Sequence, residues 1–489
     1  MKRLIVIVFI IFGAFLTLCL YRTYAYDTSV VEEVPSTTDL EYTFKIGNSS
    51  IKQITVDSGE TRYYDIVLGN PNNAKISYGV YYEMVSPSTK PDGYSIEYTS
   101  KSTGNSTGKV DKNGNITLNL VVTNASSSTV TVKLGTVAGY VNGGELTLGS
   151  GQVIIPKALV NAVELITNLN DGTTGDSGSG VYKIIHSAIP AGSSATGSEI
   201  PAVTDYRYYG PSPNNYICLD MEGQSTCPDK HLYRIIGSIY DEKENTNRLK
   251  LIKATPLTDG TTSEFSWDYR VFNNGGVVYS NIWATITSGN YSNSLTSGSQ
   301  LMKLLNSGAW WNGTSGSYYN DSTTATTVNF TNYKLSDKAK SYITTSRYYL
   351  GGYNTSRGVM TNHFYVYERG TLRSLTAEPL YWEGMVGLMY PSDYGYAAGN
   401  SCVSGTKLYN YNGGCRIKDW LYISNDHQWL MSPHSDDSRF VFYVGKGGLF
   451  DTNLNDYTYA VRPVFYLNSS ASITNGDGSL NNPYLITLE

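Results

Sequence analysis

Gln428-Trp429-Leu430-Met431-Ser432-Pro433 and Ala460-Val461-Arg462-Pro463-Val464-Phe465-Tyr466-Leu467 frame the segment that decides the fold. The first run opens on a tryptophan in apolar company, as an interior strand does. The second is an Arg-Pro strand that continues apolar to Leu467. Between them, His434 to Tyr459 is polar, broken by one apolar strand, Phe440 to Val444, and a turn, Gly445-Lys446-Gly447-Gly448. The candidate ligand-binding residues are Asp436, Asp437, Ser438 and Arg439 before the apolar strand, and Asp451, Asn453, Asn455, Tyr457 and Tyr459 after it. Tyr gives contact area at low entropy cost, and Asn both donates and accepts. Sugars need that mixture: flat rings against C–H faces, amides and carboxylates against hydroxyls. The plain alternative is a set of solvated loops in a chain already rich in both residue types.

The composition sets the wider frame. Charged residues make up 16% of the 489, against about 25% in ordinary soluble proteins. Uncharged polar residues, glycine and tyrosine fill the gap. Tyr outnumbers Phe 43 to 12, and a tyrosine can stand half exposed on a strand because its hydroxyl bonds water. Chains of Tyr, Thr, Ser, Asn and Gly favour sheet joined by polar turns. The net charge of −5 comes without a basic stripe, which makes nucleic acid a poor partner.

Lys2 and Arg3 precede an apolar run from Leu4 to Leu20, and small residues stand at Thr23 and Ala25. Residues 1–25 therefore read as an export signal cut after Ala25, or as an uncleaved anchor and the only contact with a membrane. Leu18 before Cys19 is too large for a lipoprotein signal. Four cysteines follow, Cys218, Cys227, Cys402 and Cys415. Their even number in an exported chain points to disulfides, with the local pairs Cys218–Cys227 and Cys402–Cys415 favoured among three connectivities. Neither spacing is C-x-x-C, so no zinc site is expected. The chain is placed outside the cell or on its surface.

Residues 40–155 carry period-two alternation, as in Ile116 to Val122 and Val130 to Leu134, with a turn at Asp111-Lys112-Asn113-Gly114. Frequent turn signals between short strands read as a β-sandwich, similar to the immunoglobulin-like or jelly-roll modules of bacterial surface proteins. Residues 156–180 read as a short helix opened by Pro156, with Leu159, Ala162, Val163 and Ile166 on one face, then a Gly/Ser/Thr linker. Residues 181–489 read as one α+β domain. Leu232 to Gly237 and Leu249 to Lys253 look like paired strands. Helices are expected after Ser297-Gly298-Ser299-Gln300, a capping box, and over Ser336 to Ile343. Trp429 and Trp420 are assigned to the core, and Trp310-Trp311 to the surface. The fold class is mainly β with a small α+β component.

The phrases Asp205-Tyr206-Arg207-Tyr208-Tyr209-Gly210, Val386 to Tyr396 and Val461-Arg462-Pro463-Val464 resemble those of an uncharacterised family of bacterial extracellular domains. The layout of residues 181–489 resembles the C-type-lectin-like fold, in the broad group that includes formylglycine-generating-enzyme-like domains. That resemblance implies a polar ligand face on the C-terminal segment. Target proteins of diversity-generating retroelements place their variable surface in a similar position.

No cofactor is implied. Calcium is the one metal the spacing admits, at Asp451-x-Asn453-x-Asn455-Asp456, where hard oxygens alternate. The EF-hand pattern and the Glu-Pro-Asn, Gln-Pro-Asp and Trp-Asn-Asp triplets of calcium-dependent lectins are missing. Formylglycine-generating enzymes use a reactive cysteine pair, whereas Cys402 and Cys415 sit in a Gly/Asn/Tyr loop. The histidines (His186, His231, His363, His427, His434) share no ligand spacing, although His427 and His434 flank the Trp429 strand near Asp436. G-x-S-x-G, HExxH and Walker signatures are missing too. The expected function is therefore non-catalytic: a lectin-like head that binds an extracellular glycan or protein. The alternatives are a structural component of a surface layer or fibre, and third an enzyme on the formylglycine-generating-enzyme-like fold.

Overall fold

The computed structural model describes residues 43–46, 53–71, 76–99, 107–111, 113–140, 152–153, 155–156, 160–271, 277–279, 281–284, 286–287, 290–291, 298–320, 322, 324–373 and 379–488. The expected signal or anchor at residues 1–25 lies outside them. Strand outweighs helix, 39% against 16%, so the chain is mainly β with a small α component. It divides into two compact units, one within Met1–Leu159 plus Met221–Thr226, the other Val160–Asp220 plus Cys227–Glu489.

The first unit is a sandwich of two sheets. One runs in the order Thr43–Ile46, Glu60–Asn70, Gly114–Asn124, Tyr94–Thr99, Ile155–Pro156. The other runs Gln53–Val56, Val130–Tyr140, Ile76–Ser86, Thr107–Val110, with Gln152–Val153 also on Ile76–Ser86. Alternation explains the core. Leu118, Leu120 and Val122 from one sheet face Val130, Val132 and Leu134 from the other in one buried cluster. The expected turn forms: Gly114 N–H donates to the Asp111 carbonyl at 3.0 Å, and Asn113 takes φ 53°. Asn tolerates that left-handed backbone.

The second unit is built on a long mixed sheet ordered Val160–Asn161, Ala471–Asn475, Tyr484–Leu488, Tyr216–Cys218, Leu232–Asp241, Thr246–Lys253, Val464–Leu467, Ile343–Thr344. The hairpin Gly180–His186 with Val203–Tyr209 joins through Leu232–Asp241. The first strand of the unit thus pairs with one of its last, Val160 opposite Ile473. The expected pair Leu232–Asp241 and Thr246–Lys253 is antiparallel, with Tyr233 opposite Lys253.

The helix near residue 160 starts later than the sequence suggests. It spans Ala162–Asn168, capped by the Asn161 side chain, while Pro156 lies in a strand. Ala162 and Ile166 bury into the core of the second unit. The segment read as a linker is held by this unit as well: Asn400 N–H donates to the Gly175 carbonyl at 2.9 Å, and Tyr209 Oη to the Ser177 carbonyl at 3.1 Å. Helix Gln300–Asn306 is capped by Ser299 rather than Ser297, and Asp337–Ser341 by Ser336.

Both expected disulfides form, Cys218–Cys227 and Cys402–Cys415. Such bonds persist in an oxidising, extracellular setting. Among the described residues no helix is long and apolar enough to cross a membrane.

Candidate functional site

The polar insert folds on a three-stranded antiparallel sheet, Gln428–Pro433, Phe440–Val444 and Phe450–Leu454. Period two sorts its residues between the faces. Phe442 and Phe450 point inward and pack edge-on against Phe364 at 5.0 and 5.3 Å. Tyr443 lies opposite both Trp429 and Asp451, and Val441 opposite Asn453, so these five share the other face. Trp429 and Val441 are buried there, whereas Tyr443, Asp451 and Asn453 are half-buried.

Rings continue the face outward. Tyr459 packs on Trp429 at 4.4 Å, and Tyr443 and His427 each lie 4.9 Å from Tyr459. Tyr457 stands 6.3 Å from Tyr459 and is 48% exposed. Inward, Trp429 meets Trp267 at 6.2 Å, Trp267 meets Trp283 at 5.1 Å, and Trp283 meets Trp382 at 6.2 Å. The Trp429 indole N–H donates to the Phe265 carbonyl at 2.8 Å, which fixes the ring. A stack of buried tryptophans, capped by buried Tyr459, therefore underlies a shelf of half-buried Tyr443 and His427 and exposed Tyr457. Burial lowers the His427 pKa, with Lys446 adding to the effect, so the ring faces the shelf neutral near pH 7. Burial pushes the Tyr459 hydroxyl up to about 12, so it remains a donor.

The polar groups of the shelf are oriented. Asp451 Oδ1 accepts from Ser356 Oγ at 2.7 Å and from Thr452 N–H at 2.9 Å. Asn453 Nδ2 donates to the Tyr459 hydroxyl. Asn455, by contrast, has no exposed surface; its Nδ2 donates to the Asp268 carbonyl at 3.3 Å, and its N–H to the Arg439 carbonyl at 2.8 Å. It anchors the strand end and is out of a ligand's reach. This takes one oxygen out of the alternating series Asp451, Asn453, Asn455.

Asp436, Asp437, Ser438 and Arg439 form a loop at the far end of the strand. Arg439 is four residues from Tyr443, roughly 13 Å at strand rise. Arg439 Nε and Nη2 grip Asp437 Oδ1 and Oδ2 at 3.0 and 2.7 Å in the open. His434 Nδ1 accepts the N–H groups of Asp436 and Asp437, both at 3.2 Å, and so is occupied by backbone. Asn281 pins this loop from below: its N–H reaches the Ser438 carbonyl at 2.6 Å, and its Nδ2 the carbonyls of His434, Asp437 and Phe440 at 3.0 to 3.1 Å.

The tryptophans divide differently from expectation. Trp429 and Trp420 are buried, and so is Trp310, at 1% exposure. Helix Ala309–Asn312 turns Trp310 inward and leaves only Trp311 partly open.

A second cluster of polar groups lies wholly inside the unit. Arg207 Nη1 meets Asp393 Oδ1 at 2.7 Å, and its Nε and Nη2 meet Asp205 Oδ2 at 3.1 and 2.9 Å. His186 Nε2 reaches the same Asp205 oxygen at 3.0 Å, and Lys250 Nζ reaches Asp393 Oδ2 at 2.5 Å. Glu368 accepts from Ser392 N–H at 2.8 Å and Ser392 Oγ at 2.6 Å. Burial works against the Asp205 and Asp393 carboxylates. Arg207 with His186, and Lys250 with Arg207, outweigh it and hold both below the usual range. Burial pushes Glu368 up to about 7. Tyr365 stacks on His186 at 3.6 Å and closes the cluster. These groups tie together segments far apart in sequence, and none of them meets solvent.

No protein-family model matches the chain, and no curated protein matches it.

Proposed function

We propose that the chain is an exported surface protein whose C-terminal lectin-like head binds an extracellular glycan without catalysis. The partly exposed rings of Tyr443 and Tyr457, set on buried Tyr459 beside Asp451 and Asn453, carry this reading. Flat rings suit the C–H faces of a pyranose, and the carboxylate and amide suit its hydroxyls. Rings and polar groups are held before a ligand arrives, which limits the entropy lost on binding. The many short strands, small helices and long loops around the shelf suit a C-type-lectin-like domain. The β-sandwich serves as a spacer, and export runs through residues 1–25.

Binding is calcium-independent in this account. Asp437 is gripped by Arg439, one Asp451 oxygen already accepts from Ser356 and Thr452, and buried Asn455 is lost to the alternating set. The test is the full-length chain on a glycan and mucin array, with calcium and with chelator. The expected result is binding that survives chelation. A blank array with folded protein would move the ligand to the protein class, and loss with chelator would restore a calcium site.

A further inference from the structure

One contact in the buried cluster has a chemistry of its own. Lys250 Nζ and Asp393 Oδ2 stand 2.5 Å apart, with side chains 1% and 0% exposed. Lys250 is on strand Thr246–Lys253, and Asp393 is in the first turn of helix Pro391–Ala397. Both therefore sit on regular elements. Tyr390 and Tyr466 rings lie 4.5 and 5.7 Å from the ammonium. Around the carboxylate, Arg207 Nη1 addresses Oδ1 at 2.7 Å and the Tyr390 N–H addresses Oδ2 at 2.9 Å. We propose that Lys250 and Asp393 condense to an intramolecular amide, a covalent tie between sheet and helix.

The step balances without a further reactant. An ammonium proton first passes to Asp393 Oδ2, giving a neutral amine and acid; Lys250 Nζ then attacks Asp393 Cγ, the Nζ–Cγ bond forms and the Cγ–Oδ2 bond breaks. Two of the three ammonium protons leave with Oδ2 as water, and the third stays on the amide nitrogen. Oδ1 becomes the amide oxygen. Arg207 already donates to it and stabilises the negative charge that gathers there in the tetrahedral intermediate. The Tyr390 N–H does the same for the departing oxygen.

Three features favour the reaction. Amine and carboxyl are held in contact by rigid elements, which replaces an encounter between free groups. Burial lowers the Lys250 pKa, against the pull of Asp393, toward the neutral nucleophile. Condensation also turns two desolvated charges into one neutral group, removing the penalty of keeping ions dry. Arg207 keeps a counter-charge throughout, because Asp205 remains at 2.9 Å.

The test is mass spectrometry of the full-length chain, with the disulfides reduced and the cysteines alkylated. The proposal expects a mass one water below that of the mature sequence, whose N-terminus is read from the same peptide map. It also expects a branched tryptic peptide joining Lys250 to Asp393, with no cleavage after Lys250. The Lys250→Met variant should regain the full mass. If that variant does not fold, the wild-type map decides alone. A wild-type chain at full mass, cleaved after Lys250, overturns the proposal, as does a water loss mapped to another pair.

Discussion

Arg207 and Asp393 meet at 2.7 Å although 186 residues separate them. Each belongs to a phrase that marks the second unit, and the pair joins the strand Val203–Tyr209 to the helix Pro391–Ala397. The third phrase closes on the second, since Gly387 and Val464 exchange N–H and carbonyl at 2.8 and 2.9 Å. Gly387 has to be glycine, because a Cβ there would stand 2.5 Å from the Tyr348 ring. The phrases are thus keystones of the fold, and the candidate site lies elsewhere.

Truncating the keystone should be costly. Arg207→Met strands the Asp205 carboxylate in a dry site, and breaking a buried pair from one side costs about 3–5 kcal/mol. Urea unfolding followed by tryptophan fluorescence should show a loss of that size. A loss within about 0.5 kcal/mol, as at ordinary surface sites, would mean that the cluster does not hold the unit together.

The pH dependence should expose Glu368. Its carboxyl is held up to about 7, so between the unfolded value near 4.5 and about 7 the unfolded chain carries the charge and the folded one the proton. Stability from this group is present below the unfolded value and falls as pH rises through that window. Glu368→Gln should therefore flatten the decline in unfolding free energy from pH 4.5 to 7. A wild-type profile that rises across the same window and is unaltered by the variant would contradict the assignment.

Asn281 should control the loop of Asp436 to Arg439. Asn281→Ala removes the amide donor of three carbonyls; those of Asp437 and Phe440 keep the N–H groups of Phe440 and His434, and the His434 carbonyl loses its donor, worth about 1–3 kcal/mol if left unsatisfied. Hydrogen exchange should speed up at residues 434–440 and leave Val203–Tyr209 unchanged. Unchanged exchange in the loop would show that the clamp is dispensable.

The loop closed by Cys402–Cys415 has a sequence separation of 13. By loop entropy its loss should cost about 3 kcal/mol. Cys402→Ser with Cys415→Ser should lower the urea midpoint accordingly. No shift would show that the loop is ordered without it.

The sequence made the sandwich legible because each strand buries one face, so its alternation survives in the composition of single strands. The disulfides were legible from parity and spacing. The candidate shelf was only half legible. Asp451, Asn453, Tyr457 and Tyr459 do share a shelf, but Asn455 belongs to the interior. Tyr443 and His427 were overlooked as candidates, although Tyr443 is the lone polar ring in Phe440-Val441-Phe442-Tyr443-Val444. Ser356 and Asn281 reach the site from distant segments, and no local pattern marks them. The burial of Trp310 depends on a single helical turn that periodicity over so few residues cannot show.

The most direct test of the account is glycan binding by the Tyr443→Ser/Tyr457→Ser variant beside the wild type. Tyr457 is exposed, whereas Tyr443 packs on the edge of the core, so the variant is compared at a temperature where its urea transition shows it fully folded. The account predicts a loss of affinity of about tenfold or more for every glycan bound by the wild type, equivalent to about 1.4 kcal/mol. Equal binding by a folded variant would contradict the claim that this shelf is the recognition surface.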